Sequence, residues 1–566
     1  MNNQSIDLPR LLPRWSLICL CVVLMSCGQR AQIDEATSKN STGQVSNKPS
    51  TTVTYYAAAR FADQVSFGAT PALIDEISKL GFEAWIDAQM ALPATVNEVP
   101  RSYLNYKEND QFAISTLDVY THEVHWQTLL TAPDQLRQRV AWSIFEFIPT
   151  APGQSNGQHE YYNLIISRAL DNYGTLLHDV SIHPMMGFFL NNDLNRPSSP
   201  QCLGCVPNEN YARELMQLFS LGVVQLNTDG STKRDAHGKP LETYTQKDVE
   251  ELARALTGWR QPNNTTGLPD YAWPHFGIPM VPESAAFFHD SGAKTVMGTA
   301  FAAGMNAPQE LNAVIAMLMK HPNIAPFVSL RLIQHLVTSN PSPQYLTRIA
   351  TVFRNNGNGV TGDLKAVVRA ILLDPEARAG DQIGSSPNSF GKLREPVQWW
   401  SAMLRGMNCK KPFHYPANND GIKWVVEPQN QNSTFPSNVF SYYQATDRAP
   451  GSNLLAPEQK LLNTNEFITH ISGLSASLLD RNYPAAADNY ANSGCEIAPL
   501  GKAFAQSPKA IIDLISQRWF RGAMPPTLRE NLQALIHGEA NWNSPEDGAL
   551  TILQVALSSP YFGVIK

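Results

Sequence analysis

The chain has 566 residues, 43% hydrophobic and 16% charged, enough apolar material to bury a large core. Its formal net charge of −6 argues against a general nucleic-acid binder, because a surface that tracks phosphates normally carries a basic excess. Beyond residue 27 no apolar run approaches the roughly 18–20 residues that cross a bilayer.

In chain order, Arg10 and Arg14 form a basic segment, Trp15 to Ser26 an apolar one, and Leu24-Met25-Ser26-Cys27-Gly28 closes it. A secretory leader ends on a small residue. A Cys directly after it is similar to the lipobox of bacterial lipoproteins, in which the thiol is acylated and becomes the mature N-terminus. Residues 1–26 are therefore expected to be a lipoprotein signal peptide and Cys27 the lipidated residue. Gly28, rather than Asp, resembles the pattern of outer-membrane sorting. Residues 27–54 are rich in Ser, Thr, Asn, Gln and Lys and cannot offset their ordering entropy by burial, so they read as a disordered tether. The expectation is an exported domain, residues 55–566, held in the cell envelope by lipid.

That domain reads as mainly α. Thr70-Pro71 followed by ALIDEISKLG gives a cap, a first-turn proline and a closing Gly81. Residues 131–148 form a longer amphipathic pattern. Further helices are expected over 160–172, 175–182, 209–222, 245–258, 308–320, 324–338, 343–354, 363–373, 391–406, 457–479, 508–518, 525–537 and 546–558. Between two of them, Gly222 to Leu226 and Pro240 to Tyr244 flank turns at Asp229-Gly230 and Asp235–Gly238, a small β-hairpin insertion. Segments 261–305 and 408–456, rich in Pro, Gly and Asn, are expected to be long ordered loops, and loops of that length tend to carry function. No 20–50-residue repeat is present. The fold class is a large multi-helix single domain.

Of seven cysteines, Cys19 and Cys21 leave with the leader and Cys27 takes the lipid. Cys202, Cys205, Cys409 and Cys495 remain, enough for two disulfides with three possible connectivities. Cys202-Leu-Gly-Cys205 fits a loop clip, a redox pair or half a metal site. The βαβ pattern of a redox pair and the second close pair of a zinc site are both missing, so structural bridges are favoured.

Candidate chemistry concentrates in Asn208 to Gly230, NENYARELMQLFSLGVVQLNTDG. At 100° per residue, Tyr211, Leu215, Leu218, Phe219 and Gly222 share one packed face. Asn208 reads as an N-cap and Glu209–Arg213 as an i,i+4 pair. Asn210 and Arg213 lie on another side, and Glu214 sits at the boundary, where a partly buried carboxylate needs a partner. His183, His289 and His321 stand where helices start or loops turn, positions where histidine more often caps than ligates. His289, in a long loop with Lys294 nearby, is the best histidine for acid–base or metal chemistry. Arg394 can grip a carboxylate, phosphate or sulfate bidentately, or brace helices together with Glu395; Arg137 and Arg139 carry the same ambiguity. His122-Glu-Val-His125 has the wrong spacing for a zinc-protease motif, and no phosphate loop, nucleophile elbow or dinucleotide fingerprint is present. Cofactor and metal are left open.

Taken together, AARFADQVSFGATPALIDEI, LRQRVAWSIFE, SIHPMMGFFLN, NENYARELMQLFSLGVVQLNTDG, TYTQKDVEELARALTGW, HDSGAKTVMG and GKLREPV resemble the bacterial family catalogued as domain of unknown function 1800. The resemblance runs from about Ala57 to the C-terminus and is densest over 137–398. It departs at Asn208, where the family usually has Asp, at Asn438 within Phe435–Phe440, and over Asp63–Gly68. The resemblance implies export, and a frequent genomic neighbour from a second exported family similar to sulfatases and alkaline phosphatases. Two functions are then expected. One is an accessory or binding factor acting with such a sulfatase-like partner, on extracellular polysaccharide or in its export. The other is a hydrolase or transferase whose cleft unites catalytic Glu214 and His289 with Asn210, Arg213, Lys294, Arg394 and Glu395.

Overall fold

A computed structural model describes residues 53–98, 111–150, 155–262, 276–414, 424–428, 430–462, 491–538 and 542–566. The expected leader, Cys27 and nearly all of the tether lie outside the described residues, as does most of the helix expected over 457–479. The domain is one compact unit from Thr52 to Lys566.

Local caps set where helices begin. In α1 (Tyr55–Val65) the Thr54 side chain accepts from Ala57 N. In α2 (Pro71–Leu80) Thr70 accepts from Leu73 N, and Gly81 ends the helix at φ 80°. After α3 (Phe82–Ala91) and α4 (Gln111–Thr131) comes α5 (Gln135–Phe145). The helix expected over 131–148 is therefore shorter, Gln135–Phe145, and Thr131 instead ends α4. Pro133, which has no N–H to donate, falls between α4 and α5. Every residue of α5 is buried, with α1, α3, α4, α6 (Ser155–Arg168) and α12 (Ile324–Leu336) packed around it. Arg137, Gln138 and Arg139 must then find polar partners indoors.

The chain continues through α7 (Tyr173–Ser181), α8 (Pro184–Phe189), α9 (Asn210–Gln217) and α10 (Gln246–Ala255). Thr245 and Asp248 complete a capping box at the start of α10. The insertion between α9 and α10 is more closed than a hairpin. Residues 223–227 bond both to 231–233, through the NTDG turn, and to 241–243, while Leu241 N also donates to Lys233 O. Three short segments thus pair with one another by isolated bridges.

Next come β1 (Trp259–Arg260) paired with β2 (Val281–Pro282), and β3 (Lys294–Val296) paired with β4 (Thr299–Phe301), both antiparallel. Helices α11 (Ala307–Lys320), α12, α13 (Pro343–Arg354), α14 (Leu364–Leu373) and α15 (Pro375–Arg378) follow. Then β5 (Lys392–Leu393) leads into α16 (Pro396–Gly406). The last helices are α17 (Ala498–Gln506), α18 (Pro508–Trp519), α19 (Pro526–Gly538) and α20 (Pro545–Leu557). The chain returns as β6 (Val564–Ile565), antiparallel to β5. Gly391 (φ 111°) makes that return possible, since a Cβ there would lie 2.4 Å from Ile565 O.

Among the described residues no single helix is long and apolar enough to cross a membrane; the bent pair α11–α12 passes by length and composition alone. Both expected disulfides are present, as Cys202–Cys205 and Cys409–Cys495.

Candidate functional site

The singled-out residues fall in three places; the first two adjoin through α10, and among the described residues no hydrogen bond or ion pair links either of them to Arg394. The first is α9. The helix starts one residue later than the cap read from sequence: Glu209 holds the N-cap position without a side-chain bond, and Asn208 Oδ1 accepts from Asn210 N at 2.9 Å. Arg213 makes the expected pair with Glu209 (2.8 Å) and also reaches Gln246 Oε1 at 3.1 Å. Asn210 is exposed. Glu214 is half-buried, and its Oε2 is buried with no hydrogen-bonding partner among the described residues. Burial raises its pKa, with Arg213 opposing.

The second place is a clamp made by the loop after β2. His289 lies 2.9 Å through Nδ1 from Thr257 O at the end of α10, while Thr257 Oγ1 accepts from Asp290 N at 2.9 Å. The ring therefore donates from Nδ1, and in its neutral form Nε2 carries no proton. That Nε2 faces Glu310 Oε2 of α11 at 3.5 Å. Lys294 Nζ is wholly buried. It pairs with Glu310 Oε1 at 2.7 Å and donates to the carbonyls of Gly292 (2.9 Å) and Asp290. Arg254 grips Asp290 bidentately at 2.7 and 3.1 Å. Burial pushes Glu310 up to about 7 against the pull of Lys294, and burial lowers His289. Gly258 (φ 88°) admits the ring, because a Cβ there would sit 2.8 Å from His289 Cβ.

The third place is reached by Arg394 and Glu395, neighbours in sequence that serve different partners. Arg394 Nη2 pairs with Asp63 at 2.8 Å, its Nε donates to Phe562 O, and its guanidinium lies 4.7 Å from the Phe562 ring centre. It borders a shallow indentation of about 240 Å³, mouth included, shared with Arg518 and Arg521. Glu395 turns toward α5. Its Oε2 accepts from Trp142 Nε1 and Gln431 Nε2, both at 2.9 Å, and its Oε1 from Lys392 Nζ and Gln398 Nε2, both at 3.1 Å. Lys392 also pairs with Glu458 at 3.1 Å. Gln431 Nε2 reaches Glu146 Oε1 at 3.3 Å, and Ser441 Oγ donates to Glu146 Oε2 at 3.2 Å. Arg139 Nη2 donates to His335 O at 2.5 Å, while Arg139 Nε and Nη1 have no partner among the described residues.

Every ionisable member of this central cluster is buried. Its charges fix the protonation. Glu146, Glu395 and Glu458 face two cations, Lys392 and Arg139, because burial holds His335 well below the usual range and so neutral. Burial opposes ionisation of Glu395, but Lys392 and Arg139 outweigh it and hold that carboxyl low. Burial and then Glu395 itself hold Glu146 well above the carboxylate range. Burial also raises Glu458, against the pull of Lys392, so Glu395 is the one carboxyl of the three that is held low. A neutral acid beside an ionised one is the composition of a general acid–base pair, here closed over by Gln431, Ser441 and Tyr443.

Pattern reading in the sequence missed Glu146, Lys392, Glu458, His335 and Gln431. The available signal was the end of α5, where Arg139 and the C-cap Glu146 bracket the mostly apolar run Val140 to Phe145. His183 and His321 are caps, accepting from Met185 N and Asn323 N. Among the described residues no group of three or more His, Cys, Asp or Glu is placed to hold a metal ion.

These features define a mainly α, disulfide-bridged single domain with two buried ion networks. The chain belongs to the family described as protein of unknown function DUF1800, whose model matches residues 60–564. No curated protein and no solved structure matches it.

Proposed function

We propose that this protein is an exported, lipid-anchored envelope protein whose helical domain works as an accessory or binding factor, with a sulfatase-like exported partner, on extracellular polysaccharide or in its export. The leader and Cys27 support the anchor, and an outer-membrane location follows from Gly28. The partner rests on the family resemblance. The observation that carries binding over catalysis is dispersal: His289 and Arg394 belong to separate ion networks, and Glu214 Oε2 is partnered in neither. Cys27→Ala is expected to move the protein from the membrane to the soluble fraction. Unchanged fractionation would sink the anchor. Affinity capture of the intact protein under native conditions should bring down a sulfatase-like protein, and its repeated absence would remove the partner.

One observation favours an enzyme, a hydrolase or transferase: the acid pair Glu146–Glu395 bridged by Gln431. On that reading Glu146→Gln abolishes turnover without lowering the melting temperature. An unaltered envelope phenotype in that variant would return the cluster to a structural role.

A further inference from the structure

The residues between Asn195 and Asn208 form a loop that is built to be rigid and apolar at its tip. At its base Asn208 N donates to Asn195 Oδ1 at 2.7 Å, and Asn195 Nδ2 donates back to Asn208 O at 3.3 Å. Asn195 is itself buried, and its carbonyl accepts from Gly258 N at 2.8 Å. Higher up, Ser199 and Cys202 exchange both backbone hydrogen bonds, and the Cys202–Cys205 disulfide closes the turn through Gly204 (φ 83°). This is a compact loop with its ends together, a form that frequently carries function. Its two clamps leave little conformational entropy to lose on binding.

What the loop presents is unusual for a surface. Leu203 is 87% exposed and Val206 77%, and Leu194 at the base is 56% exposed. From Leu194 to Asn208 there is no Asp, Glu or Lys, and one cation, Arg196, whose guanidinium lies 5.4 Å from the Phe288 ring centre. Phe188 in α8, 47% exposed, precedes this stretch. Isolated exposed leucines need no explanation, but a doubly clamped loop holding two apolar side chains outward does.

We propose that this loop is a membrane-interface contact, with Leu203 and Val206 inserting below the lipid headgroups. The proposal rests on the reading of Cys27 as lipidated. From Gly28 to Thr54 there are 27 residues; a coil of that length spans roughly 30 Å, which would keep an anchored domain within reach of the bilayer. Tethering makes loop insertion an intramolecular step, for which a weak contact suffices. The absence of acidic side chains suits anionic headgroups, and a shallow tip keeps the backbone groups at a depth where water and headgroups satisfy them. A soluble partner protein is the competing occupant, and the test separates the two.

The chain from Gly28 to Lys566 lacks the leader and the lipid but retains the whole compact unit. With vesicles of phosphatidylethanolamine and phosphatidylglycerol, its Leu203→Trp variant is expected to shift its emission to the blue. The double variant Leu203→Asp, Val206→Asp should partition roughly tenfold less than the parent at an unchanged melting temperature. No emission shift, or equal partitioning of the Asp variant, overturns the proposal. So does a photocrosslinker at position 203 that captures a protein in cells while vesicles bind none of the chain. Failure of the anchor is read separately, from Cys27→Ala made in the Leu203→Asp, Val206→Asp background, where the loop no longer holds the membrane: unchanged fractionation there counts against the anchor alone.

Discussion

The clamp around Lys294 and the cluster around Lys392 are built from the same residue types and differ in arithmetic. Both bury a lysine completely against a glutamate. Lys294 has one close carboxylate, two backbone carbonyls and a nearby Asp290 already gripped by Arg254. Lys392 stands between two carboxylates with a third beyond, and Arg139 is the other cation. In the clamp burial raises Glu310 and lowers His289, which face each other at 3.5 Å, whereas in the cluster Glu146 is held high beside a Glu395 held low. Burial alone therefore does not set a group's charge; the number of opposite charges enclosed with it does.

The sharpest way to break that contrast is to remove each lysine. Lys392→Met leaves two buried carboxylates without their shared cation and is expected to cost about 3–5 kcal/mol in chemical denaturation. Lys294→Met should cost less, about 1–3 kcal/mol, because Glu310 already titrates near 7 and can take up a proton in place of its partner. Equal losses would mean that the two sites do not differ in the way described.

Proton linkage gives the next largest effect. Glu310 moves up to about 7 from an ordinary 4.5, so between those values the native state keeps a proton that the unfolded chain releases. Its contribution to stability falls as pH rises through that window, by at most about 1.4 kcal/mol per pH unit. His289 is shifted down, so its contribution falls in the opposite direction, as pH drops below 6.5. Subtracting the stability curve of Glu310→Gln from that of the parent should show the first limb, and subtracting that of His289→Gln the second. Two flat difference curves would remove the clamp as a titrating unit.

Smallest are the substitutions of carboxyls held near the neutral state. Glu146→Gln replaces a protonated acid by an amide and should change stability by less than about 1 kcal/mol at pH 6, far less than Lys392→Met. Glu214→Gln is expected to be similarly mild, since burial already disfavours its charge. A collapse of either variant would show that the ionised form is the one the fold requires.

Much of the fold was legible because caps and turns are local. Thr70-Pro71, Thr245–Asp248 and the two Asp-led turns each act within a few residues, and each lies where the sequence placed it. Helices α3 and α4 escaped notice because their apolar residues are not gathered into one stripe. Six helices in all, α1, α3, α4, α8, α15 and α17, lie outside the segments that the sequence marked as helical, Thr131 at the end of α4 apart. The central cluster was illegible for another reason. Arg139, Glu146, His335, Lys392, Gln431 and Glu458 come from segments up to 319 positions apart, and no spacing rule connects them. Glu395 was singled out, but its partners required the topology. The two long loops were a better guide: one carries His289 and Lys294, the other Gln431 and Ser441.

The β5–β6 pairing has a consequence for how the molecule is made. Lys392 and Leu393 meet Ile565 and Val564, which follow them by 173 and 171 positions respectively. Until they emerge from the ribosome, the edge carrying Gly391 to Glu395 has no partner, and Lys392 has no fixed backbone from which to bridge its two glutamates. The charged centre is then a late assembly, closed after the helices around it have met. A nascent chain stalled before Val564 and Ile565 emerge should hold much of its helix content while its core acids still titrate like those of an open chain.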